Sequence, residues 1–251
     1  MIEITMVFNN VDQENNLATG WGLAALIRGS GRTVLFDTGQ QGDILLKNLD
    51  ALGRDPADID TVVLSHHHND HVGGLAALLD RAQKPDVHLA PGCPLDFQQS
   101  VQARGCRAIV AGPPVEILPG VMTTGAFDGS IPEHGLVIHT VHGPALLTGC
   151  AHPGILNMVN RITDILGRPV YMILGGFHLK DHGGNESDQV IQDLVAAGVQ
   201  FAAPSHCTGD QAYRQFNQAF GPRFVPLGLG GTVRLELGIS KSPYATGASN
   251  Q

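Results

Sequence analysis

Several features missing from this 251-residue chain narrow its class. Positive charge is scarce: 15 Lys and Arg stand against 23 Asp and Glu, a formal net charge of −8, which argues against a nucleic-acid backbone as the main partner. No apolar run approaches the length of a membrane span, so no membrane association is expected. Residues 1–8 lack a basic start and an apolar stretch of the secretory kind. The four cysteines, Cys93, Cys106, Cys150 and Cys207, form no C-x-x-C pair, and a reduced, cytoplasmic setting is the simplest expectation. There is no repeat or low-complexity tract; only the Ser-, Gly-, Ala- and Asn-bearing end reads as frayed. The expected organisation is one domain over 1–240 with a flexible tail over 241–251.

The chain does hold an unusual density of histidine. His66-His67-His68-Asn69-Asp70-His71 sets imidazoles and a carboxylate in an H-x-H-x-D-H pattern. The apolar run Thr61-Val62-Val63-Leu64 precedes it and Val72-Gly73-Gly74-Leu75 follows, so the cluster lies between a strand and a helix start. If 66–68 runs extended, His66 and His68 share one side and His67 takes the other. Two imidazoles on one side can share a cation, and Asp70 and His71 in the following turn can reach a second one. Imidazole with carboxylate suits zinc first, and also iron, manganese or nickel. A tag-like surface cluster is a poor alternative, because tags do not sit between a buried strand and a helix.

Further strands end in titratable residues: Asp37 after 33–36, His152 after 145–148, His178 after 170–174 and His206 after 199–203. Helices are expected over 43–52, 75–81, 95–104, 155–166, 187–197 and 210–220. The stretch 91–132 otherwise shows no period and reads in part as loops over the active face. Ligands at strand carboxyl ends are the usual way an α/β scaffold builds a site. His152 is expected to complete one metal site with His66 and His68, and His206 a second with Asp70 and His71. His178 has three open roles: metal ligand, substrate contact or orienter of a ligand. Asp37 reads as a carboxylate orienting a ligand histidine, against a plain strand-end cap. Cys150 and Cys207 read as small buried hydrophobes ahead of thiolate ligands, and Trp21 as core ahead of a pocket wall.

With these residues in place the chain resembles the metallo-β-lactamase superfamily. Phe36-Asp37-Thr38-Gly39 resembles its early Asp motif and residues 65–74 its main motif. Three downstream segments, 147–154, 174–179 and 205–209, are similar to the branch of 7,8-dihydropterin-6-methyl-4-(β-D-ribofuranosyl)aminobenzene-5′-phosphate synthase. The resemblance implies an α/β fold, a four-layer αββα sandwich of two mixed β-sheets with metals at one edge. This chain has His67 and Asn69 where the branch commonly has Gly and Tyr, and Glu133 before His134 where it usually has Gln. Many superfamily members also carry a metal-bridging Asp at the strand end after the third histidine, for which Cys150 is the nearest candidate here.

The expected function is a metal-dependent hydrolase or transferase acting through a metal-activated water on a small, phosphate- or ester-bearing substrate. Its site would hold one or two divalent ions on His66, His68, Asp70, His71, His152 and His206, with Asp70 and His178 in catalytic roles. Synthase-like condensation and an iron-bound oxidoreductase are the alternative chemistries, and a non-catalytic sensor with a structural metal is a third class. The pocket is expected to be shaped by 11–21 and 91–132.

Overall fold

Alternation of apolar side chains along the strands sets the layering, because successive residues of a strand face opposite sides of its sheet. The structure, a computed structural model, describes residues 1–13 and 16–238; the tail expected over 241–251 lies outside the described residues. Strands β1 (Ile2–Asn9), β2 (Leu23–Gly29) and β3 (Arg32–Phe36) precede helix α1 (Gly42–Ala51) and β4 (Thr61–Val63). The short helices α2 (Asn69–Val72) and α3 (Leu75–Leu79) follow, then β5 (Asp86–Leu89), α4 (Leu95–Gln102) and β6 (Ala108–Val110). Next come β7 (Glu116–Leu118), β8 (Val121–Thr123), β9 (Leu136–Thr140) and β10 (Gly143–Thr148). The last elements are α5 (Ile155–Leu166), β11 (Met172–Gly176), α6 (Gly184–Ala196), β12 (Phe201–Ser205), α7 (Asp210–Phe220) and β13 (Thr232–Leu235).

The strands form two mixed sheets, of order β13-β1-β2-β3-β4-β5-β6 and β12-β11-β10-β9-β8-β7. Ile2, Ile4 and Met6 of β1, Leu23, Ala25 and Ile27 of β2, and Val34 and Phe36 of β3 face the second sheet. There they meet Leu136, Ile138, Ala145, Leu147 and Leu174 in one buried core. The alternate residues Ala24, Leu26, Leu35 and Val62 face outward onto Leu45, Leu49, Leu75 and Leu78 of α1 and α3. On the far side, Val137, Leu146 and Ile173 meet Met158, Val159, Ile191 and Phe216 of α5, α6 and α7. Three apolar layers between four layers of elements make this the αββα sandwich. Among the described residues no helix is long and apolar enough to cross a membrane.

The stretch 91–132 is more ordered than its composition implies. It holds α4 and three strands of three residues each, β6, β7 and β8, which extend the edges of the two sheets. Three residues are too few for an alternation to register, and hydrogen bonding to a neighbouring strand decides them.

Parallel pairing aligns the carboxyl ends of β3, β4, β5 and β6 in one sheet, and of β10, β11 and β12 in the other. Every strand-end residue singled out from the sequence follows one of these strands. Leu147 is fully buried between the sheets. Leu147→Ala should lower stability by about 3 kcal/mol, read as a shift of the urea unfolding midpoint at unchanged slope.

Candidate metal centre

The chain bends at His66 and His67 beyond β4 and returns to extended backbone at His68, which caps α2. His66 and His68 still meet on one side, while His67 packs against Phe97, ring centroids 4.6 Å apart. His66 Nε2 lies 3.2 Å from His68 Nδ1 and 3.3 Å from His152 Nε2. His152 is not a helix cap, since Gly154 caps α5. Asp70 and His71 occupy the first turns of α2, and His206 opens a short 3-10 turn after β12. Asp70 Oδ2 sits 3.7 Å from His71 Nε2 and 3.3 Å from His206 Nε2. The structure thus brings together both triads expected from the sequence, each with its donor atoms within 4.8 Å of one another. The triads adjoin: the rings of His66 and His71 are 4.2 Å apart.

Asp37 orients both sets. Its Oδ1 accepts from Ser65 N–H at 2.7 Å, and its Oδ2 accepts from Ser65 Oγ–H at 2.8 Å and His71 Nδ1–H at 2.7 Å. Ser65 Oγ in turn accepts from His66 Nδ1–H at 2.9 Å. A carboxylate only accepts, so this chain of bonds puts the imidazole protons on Nδ1 and turns both Nε2 atoms to the centre. The site admits this crossing of strand ends because residue 149 is glycine: a Cβ there would meet Ser65 Oγ at 2.1 Å. Asn10 does for His206 what Asp37 does for His71, its Oδ1 accepting from Nδ1–H at 2.8 Å. His206 Nε2 is left buried with no hydrogen-bond partner, which fits a place kept for a cation.

Glu133, noted from the sequence as a departure from the branch's Gln, was not expected at the site. It is fully buried, and its carboxylate accepts from the backbone N–H groups of Cys150, Ala151 and His152 at 3.0, 2.9 and 2.8 Å. An isolated Glu in an irregular stretch offers no spacing signal, and neither does Asn10.

Electrostatics divides the centre, disfavouring a protonated ring in the first triad and favouring one beside the carboxylates of the second. Burial and the neighbouring imidazoles push the protonation of His66 down, and bring His152 to about 4, so both offer bare nitrogens at neutral pH. Burial works against a charge on His71, yet Asp37 and Asp70 outweigh it and raise the ring to about 9. Burial also opposes ionisation of Asp70, but His206 and His71 beside it hold its carboxyl below the usual range. Burial and the adjacent Cys207 push the Cys150 thiol well up.

His178 follows β11 and packs on His152, ring centroids 4.3 Å apart; its backbone N–H donates to Cys207 Sγ at 3.3 Å and its buried Nδ1 has no partner. Trp21, expected in the core, is 43% exposed, with its ring 5.1 Å from that of His206 and Lys180 Nζ 4.9 Å from its face. The two, with Val11, His206 and Tyr213, line a cleft of about 620 Å³ beside the centre. Its walls come from the expected 11–21 segment, from Lys180, from the end of β12 and from the start of α7. A second cleft of about 490 Å³ against His67 and Asn69 takes Phe97, Ser100, Val101 and Arg104 from the expected 91–132 stretch. Cys150, at the end of β10, precedes His152. The strand after the third histidine is β11, and the place expected for a bridging carboxylate belongs to the Gly175-Gly176 end of that strand. His142 stacks on Tyr171 in the β9–β10 hairpin, and His182 is exposed in a loop.

Asp37→Asn should weaken zinc affinity about 10- to 100-fold, measured by competition with a chromophoric chelator. A separate test concerns His134, fully buried with Nε2–H donating to Leu64 O at 2.7 Å and brought by burial from 6.5 to about 4. The unfolded chain binds this proton first, so stability is lost as pH falls from 6.5 toward 4. In metal-free protein, His134→Gln should lose less stability than the parent across that window, by up to about 3 kcal/mol in denaturant titrations.

The model of the metallo-beta-lactamase superfamily matches residues 22–157. A 7,8-dihydropterin-6-methyl-4-(beta-D-ribofuranosyl)-aminobenzene-5'-phosphate synthase of Methanocaldococcus jannaschii is 28% identical, the match covering 85% of this chain and 89% of that one. Among solved structures, Tm1679, described as a metal-dependent hydrolase of the beta-lactamase superfamily, superposes with a TM-score of 0.79 at 25% identity over 94% of this chain and 100% of its own. The metallo-beta-lactamase fold protein YhfI from Bacillus subtilis shares the fold, with a TM-score of 0.68 at 12% identity over 93% of this chain and 100% of its own. The matched segment carries β2 to β10, the histidine cluster and His152, and with the two-sheet sandwich it assigns the family: the chain belongs to the metallo-β-lactamase superfamily.

Proposed function

We propose that the chain is a metal-dependent hydrolase or transferase acting on a small phosphate- or ester-bearing substrate. The observation that carries the reading is the pair of adjoining donor triads, His66/His68/His152 and Asp70/His71/His206, each with its donor atoms converging within 4.8 Å. Zinc is the ion these donors suit first. Divalent ions bound there would lower the pKa of a water toward neutrality and stabilise negative charge developing on the substrate.

The chain's own groups supply the rest. Asp70, at 19% side-chain exposure, keeps part of its carboxylate open and would orient the attacking water through it. His178, whose protonation is pushed up by its contact with Cys207 against burial, can hold a proton for the leaving oxygen. Lys180 gives the cleft a cation for an anionic substrate, and Trp21 and Tyr213 give it aromatic walls. The description of Tm1679 as a metal-dependent hydrolase supports this class.

Synthase-like condensation of an aromatic phosphate is the second reading, favoured by the likeness to the archaeal synthase along most of both chains. The same centre would serve it, with the substrate in place of water as the activated nucleophile.

The test is a screen of zinc-, manganese- and iron-loaded protein against phosphomonoesters, phosphodiesters, lactones and thioesters, beside a condensation assay with a dihydropterin diphosphate ester and an aminobenzene riboside phosphate. Hydrolysis of one of the four ester classes is expected. Asp70→Ala should lower kcat/KM about 100-fold or more, and His178→Ala should lower kcat about 100-fold at unchanged metal content. Full turnover in Asp70→Ala would sink the assignment, and condensation without hydrolysis would establish the second reading.

A further inference from the structure

Cys150 is 3% exposed, yet it does not pack as a small hydrophobe. Cys93 and Cys106, also buried, belong to the apolar layer outside the first sheet, whereas Cys150 belongs to none of the three apolar layers. Its Sγ is instead 3.2 Å from His71 Nε2. Five sets of donors among the described residues converge closely enough to hold an ion, and Cys150 enters three of them: with His66 and His71, with His152 and His178, and with His206 and Cys207. His66 and His152 belong to one triad and His71 and His206 to the other, so the sulfur stands between the two.

At the end of the neighbouring strand no carboxylate can take its place, although His178 two residues further on joins Cys150 and His152 in one of these sets. β11 ends in Gly176, where a Cβ would meet Gly149 O at 2.3 Å and Cys207 Sγ at 2.7 Å. The space that a carboxylate side chain would need is thus filled by backbone and by a second sulfur. Cys207 itself is engaged elsewhere, accepting from His178 N–H at 3.3 Å and approaching the Cys150 carbonyl at 3.8 Å. Cys150 is also held firmly, because Glu133 fixes the N–H groups of residues 150, 151 and 152.

We propose that Cys150 Sγ is a metal ligand, joining the two triads where the adjoining strand end offers no carboxylate. The inference rests on the metal-centre reading above and extends it by one donor. On binding, the S–H bond breaks, its proton leaves to solvent and the sulfur lone pair forms the bond to the cation, so no oxidant or reductant is required. A thiolate donor also narrows the choice of ion, favouring zinc or iron over magnesium or manganese.

The decisive measurement is X-ray absorption on the zinc-loaded wild-type protein, which should show a sulfur scatterer at about 2.3 Å beside nitrogen and oxygen. Cobalt-loaded protein should show near-ultraviolet sulfur-to-cobalt absorption that is lost in Cys150→Ser and kept in Cys207→Ser. A shell of nitrogen and oxygen alone around bound zinc would overturn the inference and leave the hydrolase reading standing. Absorption lost in Cys207→Ser but kept in Cys150→Ser would overturn it equally. Failure to bind zinc or cobalt at all would remove both this ligand and the proposed function.

Discussion

The Asp37 carboxylate, buried at the end of β3, accepts hydrogen bonds from Ser65 N–H, Ser65 Oγ–H and His71 Nδ1–H, and through Ser65 it reaches His66. One side chain therefore orients a ring in each of the two donor triads. A buried carboxylate needs such partners, since leaving it unpaired costs several kcal/mol while each charge-assisted bond returns about 1.5–3 kcal/mol. The requirement runs both ways: the carboxylate holds the rings in place, and the rings and hydroxyl make its burial tolerable. The remaining architecture serves this contact. The glycine at 149 lets β10 come close, and the paired N-H and Oγ-H of Thr38 on His71 O pin the far side of the turn.

The centre lies in the seam between the two sheets, where strands leave regular pairing. Asp37, Ala151, His178 and His206 all take positive φ, at 58°, 57°, 49° and 48°, a conformation that non-glycine residues adopt seldom. Each is at or beside a residue that faces the centre. Backbone of this kind persists when its surroundings over-determine it, and here they do: Asp37 N–H is held by Val63 O, Ala151 N–H by Glu133 and the His206 ring by Asn10. The two sheets supply a rigid frame and the strained ends re-aim side chains off it. That division suits a superfamily in which one frame carries differing chemistries.

Legibility in the sequence followed the distance along the chain over which each interaction acts. The cluster from His66 to His71 was readable because strand alternation and one helical turn fix its geometry within six residues. His152, His178 and His206 were readable as a recurrence, each placed just past an apolar run. Glu133 and Asn10 were not, because they act on residues 17 to 19 and 196 positions away and carry no local pattern. For Trp21 the core was preferred over the pocket wall for a related reason: nothing near it in sequence reveals that His206 and Lys180 stand beside it at a cleft.

The sequence by itself determined the strand-helix alternation, the strand-end positions of the histidines and the superfamily likeness, since all three depend on periodicity and spacing within short segments; the αββα layering came only as what that likeness implied. The sequence also led to the two triads, to the orienting role of Asp37 and to Cys150 as a candidate. Only the tertiary structure decided that Glu133 and Asn10 brace the centre and that the Cys150 sulfur lies within reach of both triads. Those are contacts between separate segments, and they exist only once two sheets have packed and brought β3, β4, β10, β11 and β12 to a common edge.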